Sequence, residues 1–158
     1  MASSALVSKL EVNVEIKASP DRFHDMITNK PDHVHRASYD KVQGCDLHQG
    51  EWGKVGSIII WDYVLDGKAG VAKEVIEAMD PDKNLIALRI IEGDLLEKYK
   101  SFVATIQASA KSDGSGSVVQ WTLEYEKLHE GIEHPQSLLQ LAVDLSKDID
   151  AHLTAQPN

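Results

Sequence analysis

An α+β fold in which a seven-stranded antiparallel sheet grips one long C-terminal helix is the architecture this sequence predicts, on three observations. A lone alternating strand opens the chain, six strand-like runs follow with turn-length gaps, and a long amphipathic segment closes it. Gaps that short join neighbouring strands as hairpins, so the sheet is a consecutive meander. The surface left to bury the apolar stripe of the last helix is the concave face of that sheet. The element order is therefore strand, two short helices, six strands and one long helix, a helix-grip arrangement.

In the first strand Leu10, Val12, Val14 and Ile16 alternate with Lys9, Glu11, Asn13, Glu15 and Lys17, giving one buried and one wetted face. Ser19 is placed to cap a helix that begins at Pro20, with Phe23 and Ile27 one turn apart on its apolar side. Pro31 breaks that helix, and "DHVHRA" has room for one more short one. Strands are predicted at residues 39–48, 54–65, 68–79, 84–92, 98–111 and 117–128. Turn signals separate them: Asp66-Gly67, Asp80-Pro81, Glu92-Gly93 and "DGSGS" at 113–117. In the closing "HPQSLLQLAVDLSKDIDAHL", Leu138, Leu141, Ala142, Leu145 and Ile149 share one face, with Asp144, Lys147, Asp148 and Asp150 mostly opposite. No repeat, low-complexity run or linker intervenes, so residues 1–158 read as one domain with a fraying tail, "TAQPN".

A chain of 158 residues is long enough for one sizeable core. Its net charge of −9 argues against nucleic-acid backbones and anionic membrane surfaces as partners. Cys45 is the lone cysteine, which rules out an internal disulfide and fits a reducing compartment. The opening "MASSALVSKLEV" has no apolar core of the signal-peptide kind, and no run approaches the ~20 apolar residues of a membrane span. A soluble cytoplasmic protein without stable membrane insertion is the expectation.

Several chemical motifs are tempting and fail on geometry. "GEWGKVGS" at 50–57 spaces glycines as a phosphate loop does, but a strand-like "SIIIWDYV" follows where a helix N-terminus is required. "HVH" at 33–35 puts two imidazoles about 200 degrees apart on a helix, a poor arrangement for sharing one ion. His129 and His134 flank a turn and read as exposed, and Cys45 has no adjacent basic residue to activate it. No nucleophile-elbow pattern occurs. Neither a metal nor another cofactor is expected, and no catalytic residue is assigned.

The element order, the loop "GEWGKVGSIIIWDYVLDGK", and the stretches "KEVIEAMD", "IIEGDLLEKYKSF" and "KDIDAHL" resemble the major latex protein (MLP-like) branch of the Bet v 1, or pathogenesis-related-10, superfamily of START-like folds. The resemblance spans essentially the whole chain. It implies a plant cytosolic protein whose sheet wraps the last helix around a hydrophobic cavity that takes a sterol, lipid, flavonoid or hormone-like molecule. Defence or stress is the setting it implies, and the glycine-rich loop becomes a shaper of one barrel end.

Strand parity and that resemblance together name the residues that face such a cavity. Parity alone turns Val119, Trp121, Leu123 and Tyr125 inward on the last strand, and Ile86, Leu88 and Ile90 inward on the strand whose Arg89 prefers water. Matching to the family favours Ile59, Trp61 and Tyr63, then Ala72, Glu74 and Ile76. On the strand at 98–111 it favours Tyr99, Ser101 and Val103, with Phe102 competing from the opposite parity. Ile27 and the helical set Leu138, Leu141, Ala142, Leu145 and Ile149 complete the expected walls. Glu74 has two readings, a polar group turned into the cavity or a solvated strand edge, because a buried carboxylate is costly unless bonded or protonated.

Three other roles in the superfamily compete with a carrier role. Condensing relatives use a cavity lysine, and none is placed inside here; a proposed ribonuclease trio would fall on Lys54, Glu97 and Asp150, in a chain without a basic RNA track. The hormone-receptor branch has a Ser-Gly-Leu-Pro-Ala gate and a His-Arg-Leu latch, whereas the corresponding segments here read "LDGKA" and "GDLLEKYKS". The expectation is a non-enzymatic carrier or store for a small hydrophobic ligand.

Overall fold

A computed structural model describes residues 6–155. Strand β1 (Val7–Ile16) leads into α1 (Pro20–Thr28), a 3-10 turn at Pro31–His33 and the single-turn α2 (Val34–Ala37). Six strands follow: β2 (Val42–Gln49), β3 (Ile58–Leu65), β4 (Lys68–Asp80), β5 (Leu85–Gly93), β6 (Tyr99–Ala110) and β7 (Ser117–Lys127). Helix α3 (Gln136–Ala155) closes the described chain. The strands form one antiparallel sheet in the order β1-β7-β6-β5-β4-β3-β2, so β2 to β7 are the meander and β1 extends it beyond β7.

Local chemistry sets the boundaries. Ser19 caps α1, its hydroxyl accepting the Arg22 amide at 3.3 Å. Strand β2 begins at Val42 and not at residue 39, because the Lys41 and Val42 amides both bond back to the Ser38 carbonyl and make a turn there. Strand β3 begins at Ile58 and not at residue 54, because Gly53 and Gly56 take positive φ angles of 74° and 91° and keep 53–57 in turns. The expected fraying tail is helical at Thr154 and Ala155, where the Thr154 hydroxyl donates to the Asp150 carbonyl at 2.8 Å; residues 156–158 lie outside the described residues.

Helix α3 lies in the concave face of the sheet, and its most buried residues are Ala142, Ser146, Ile149 and Leu153. Ser146 falls in this line by spacing although it is polar. It is satisfied there: the Trp121 indole donates to its hydroxyl at 2.8 Å, and the hydroxyl donates to the Ala142 carbonyl at 2.8 Å.

Polar pins fix the C-terminal half of α3. Asp150 accepts the backbone amides of Lys17 and Ala18 at 3.0 and 2.8 Å, just past the end of β1. Asp148 accepts from the Ser38 hydroxyl at 2.6 Å and the Lys41 ammonium at 2.7 Å, while Arg22 donates to the Leu153 carbonyl at 2.6 Å. Removing the Asp150 carboxylate strands two backbone amides at the β1–α1 junction. Asp150→Ala is therefore expected to lower unfolding stability by about 1–3 kcal/mol in urea titrations, with an unchanged slope. Asp144→Ala, which loses an acceptor for Gln140 one turn away on the same helix, should change it by less than about 0.5 kcal/mol.

Candidate functional site

Between the sheet and α3 the core leaves a cavity of about 120 Å³. Its sheet wall is built from inward residues of five neighbouring strands. Trp61 and Tyr63 come from β3, Ala72 and Glu74 from β4, and Leu88 and Ile90 from β5. Phe102, Ala104 and Ile106 of β6 and Trp121 and Leu123 of β7 continue it. Opposite them, α3 contributes Leu138, Leu141, Ala142, Leu145 and Ile149, and Ile27, Val34, Val42 and Leu95 close the ends.

Most residues expected to face inward reach this space, and eight do not, among them Val119 and Tyr125 of β7, which are buried in the packed core. Ile59, Ile76 and Ile86 are 2% exposed and belong to the packed core, outside the cavity wall. Tyr99 is also buried, but its hydroxyl donates to the Glu133 carbonyl at 2.6 Å and its ring meets Phe102 and Tyr125 edge-on. Ser101 and Val103 are corrections. The register of β6 against β7 slips between Tyr99 and Ser101, so a bulge there reverses the inward parity. Val103 consequently pairs with Arg89 and Glu124 on the outer face, and Phe102 pairs with Tyr125 on the inner one.

Five wall residues were not reached by parity or by the family match. Val34 and Val42 flank the α2 turn, and Leu95 sits in a 3-10 turn at Asp94–Glu97, where no alternation exists to read. The lone apolar residue inside "HVH" was the signal for Val34. Ala104 and Ile106 were lost with the parity of β6.

Glu74 is the one carboxyl in the cavity wall. It is 7% exposed, and burial pushes its pKa up to about 7, opposed by the Trp61 indole, which donates to Oε1 at 2.7 Å. Near neutrality the group therefore divides between an acid that can donate a hydrogen bond and a carboxylate that can accept one. Beside it on the wall, burial pushes the Tyr63 hydroxyl up to about 12, so this phenol stays neutral. The other polar ring, Trp121, spends its indole N–H on Ser146.

The remaining candidates are occupied differently. Burial drives the Cys45 thiol pKa well above its usual range, with Glu74 adding to the effect, so the sulfur is held as an inert thiol. Lys54 pairs with Glu51 at 2.8 Å and Asp150 is bonded to backbone amides, which leaves no shared centre with Glu97 in view among the described residues. In the glycine-rich loop the Glu51 amide donates to Ser57 Oγ and the Gly56 amide to the Ile76 carbonyl. A Cβ on Gly53 would stand 2.2 Å from Asn29 Oδ1, so the loop packs on the end of α1. Among the described residues no group of three or more His, Cys, Asp or Glu side chains is arranged to hold a metal ion.

Comparison with known proteins places this geometry. The model of the pathogenesis-related protein Bet v 1 family matches residues 5–156. The chain is 60% identical to MLP-like protein 28 of Arabidopsis thaliana over 98% of its own length but 46% of that protein's. It is 56% identical to MLP-like protein 43 of the same plant over 98% of both. The crystal structure of ginseng major latex-like protein 151 from Panax ginseng superposes with a TM-score of 0.89 at 39% identity, covering 93% of this chain and 97% of that one. The chain thus spans about half of some curated relatives and nearly all of others.

The raised Glu74 pKa has a stability signature. Below the unfolded value near 4.5 the carboxyl is protonated in both states; as pH rises toward 7 the unfolded chain loses its proton first, so the native state loses relative stability. The loss, on the order of 3 kcal/mol, should be complete by about pH 8. Glu74→Gln should lack this slope and melt above the parent at pH 8 but not at pH 4.5, as read by thermal denaturation across that range.

Proposed function

The chain belongs to the pathogenesis-related protein Bet v 1 family, in its major latex protein branch, and we propose that it binds, stores or carries a small hydrophobic molecule in the cavity beneath α3. The observation that carries this reading is an apolar-walled space in a core otherwise close-packed, with one carboxyl, Glu74, on its wall. Burying ligand CH2 groups there contributes roughly 0.8 kcal/mol each, and Glu74 with Tyr63 orients a hydroxyl, carbonyl or amine. An engineered apolar cavity of about 150 Å³ takes benzene, so the space seen here suits one ring or a short chain before any wall moves. Residues 1–158 act as one ligand-binding unit in this reading, in the cytoplasm. A defence or stress setting is supported by the family's name alone.

A second reading is favoured by the same carboxyl. A buried acid poised near pH 7 is what a general acid–base catalyst requires, and condensation of an aldehyde with an amine is the reaction class it would serve. Organic extraction of purified protein followed by mass spectrometry separates the two. A lipid, sterol or flavonoid in near-stoichiometric amount supports the carrier, and an empty protein that turns over an aldehyde–amine pair supports the enzyme.

The cavity itself is tested by filling it. Leu88→Trp from the sheet side and Leu145→Trp from the helix side should each weaken binding of a fluorescent apolar probe by ~1 kcal/mol or more. Their cost in stability should stay below the ~1–3 kcal/mol typical of overpacking a filled core. Arg89→Ala, on the outer face where Arg89 pairs with Glu77, should leave affinity unchanged. If both Trp variants melt far below the parent yet bind the probe as it does, the leucines belong to a solid core and the cavity reading fails.

A further inference from the structure

On a chain of net charge −9, one surface cleft gathers cations. Arg22 and Asp25 of α1, Lys30, His33, Arg36 of α2 and His152 of α3 line it, over a floor of Met26 and Leu153. Three helical segments converge here because Arg22, Asp25 and Met26 share one face of α1 at i, i+3 and i+4, and α3 ends against that face. The cleft measures about 220 Å³. It has no part in the cavity beneath α3, and the argument for it is independent of any ligand there.

The charges in the cleft do not cancel. Three permanently cationic side chains face one carboxylate, Asp25, which already serves Lys30 at 3.4 Å and Asn29 at 2.7 Å. Arg22 is half-buried and held by its Nη2 donation to the Leu153 carbonyl, which fixes the guanidinium and satisfies a carbonyl of the last turn of α3. Lys30 and Arg36 are exposed. His33, 3.9 Å from Asp32, and His152 add imidazole rings to the same rim.

We propose that this cleft is an oxyanion site for a phosphate group, carried on a small phosphate monoester or on a lipid headgroup. A tetrahedral dianion uses what converges here: a positioned guanidinium, a second one on α2, an ammonium point charge and two imidazole rings. A monocarboxylate would leave most of that charge unmatched. A polynucleotide would need a basic track, whereas this cleft is a local exception on an acidic chain.

The test is a titration of the full chain with inorganic phosphate at constant ionic strength, followed by amide and histidine-ring NMR. Saturable shifts at Arg22, Lys30, His33, Arg36 and His152 are expected, with half-saturation in the millimolar range. Chloride should not reproduce them. The pair Lys30→Gln with Arg36→Gln should weaken binding at least about tenfold, a change of 1.4 kcal/mol, while Lys100→Gln on β6 leaves it as in the parent. Should the pair fail to give a folded spectrum, Arg36→Gln alone carries the comparison. Flotation with neutral phosphatidylcholine vesicles, with and without phosphatidic acid, distinguishes the source: capture on phosphatidic acid that the pair abolishes assigns a lipid headgroup, and saturable phosphate binding without capture assigns a free monoester. Shifts matched by chloride, variants that bind as the parent does, or no response in either arm overturn the proposal.

Discussion

One helix cannot fill the concavity of seven curved strands, and most of this structure follows from that shortfall. The sheet turns inward residues of five strands toward α3, which can answer with only one stripe. The helix buries Ala142, Ser146, Ile149 and Leu153 fully, while Leu138, Leu141 and Leu145 on the cavity are only partly buried. The cavity is what remains of a core that one helix under-fills. Its apolar walls make water a poor occupant, which is why a hydrophobic ligand is the natural one.

The placement of polar groups decides which part of the helix is fixed. Asp148, Asp150 and the Leu153 carbonyl bind partners from α1, the α2–β2 turn and the end of β1, all at the C-terminal half. Trp121 and Ser146 lock the helix to β7 at mid-length. Before its first turn, Tyr125 meets His134 at 2.5 Å and Tyr99 bonds the Glu133 carbonyl, so the entry to the helix is tied by aromatic hydroxyls. The segment between these ties carries Leu138 and Leu141, whose contacts are apolar and therefore non-directional.

The architecture was legible because hairpin-length gaps and a closing amphipathic segment leave few topologies. Parity alone turned the right residues inward on β5 and β7, and the family match did so on β3 and β4, as with Trp61 opposite Ala72. On β6 the family match favoured the wrong face after Tyr99: a bulge at Tyr99/Ser101 flips every residue after it, and Phe102 on the opposite parity was its one sequence mark. Wall residues on α2 and in the Asp94–Glu97 turn have no period to read. The cationic cleft was hidden for a different reason. Its members are scattered between residues 22 and 152, and the overall acidity of the chain masks a local excess that only the convergence of three helical segments creates.

Size then constrains how the cavity can be used. About 120 Å³ admits a ring-sized molecule, and any larger guest has to displace a wall. The sheet is a poor candidate, since its strands are joined by long hydrogen-bonded ladders whose loss would be cooperative. The C-terminal half of α3 is held by charged and backbone hydrogen bonds that would have to break together. The segment carrying Leu138 and Leu141, between the aromatic ties before the helix and the Trp121–Ser146 bond at mid-length, is held mainly by apolar contacts, which a hydrophobic guest would replace. In the proposed carrier reading, the N-terminal half of α3 is therefore the wall with the fewest polar ties to oppose a larger guest, and Glu74 lies on the sheet side of the same cavity.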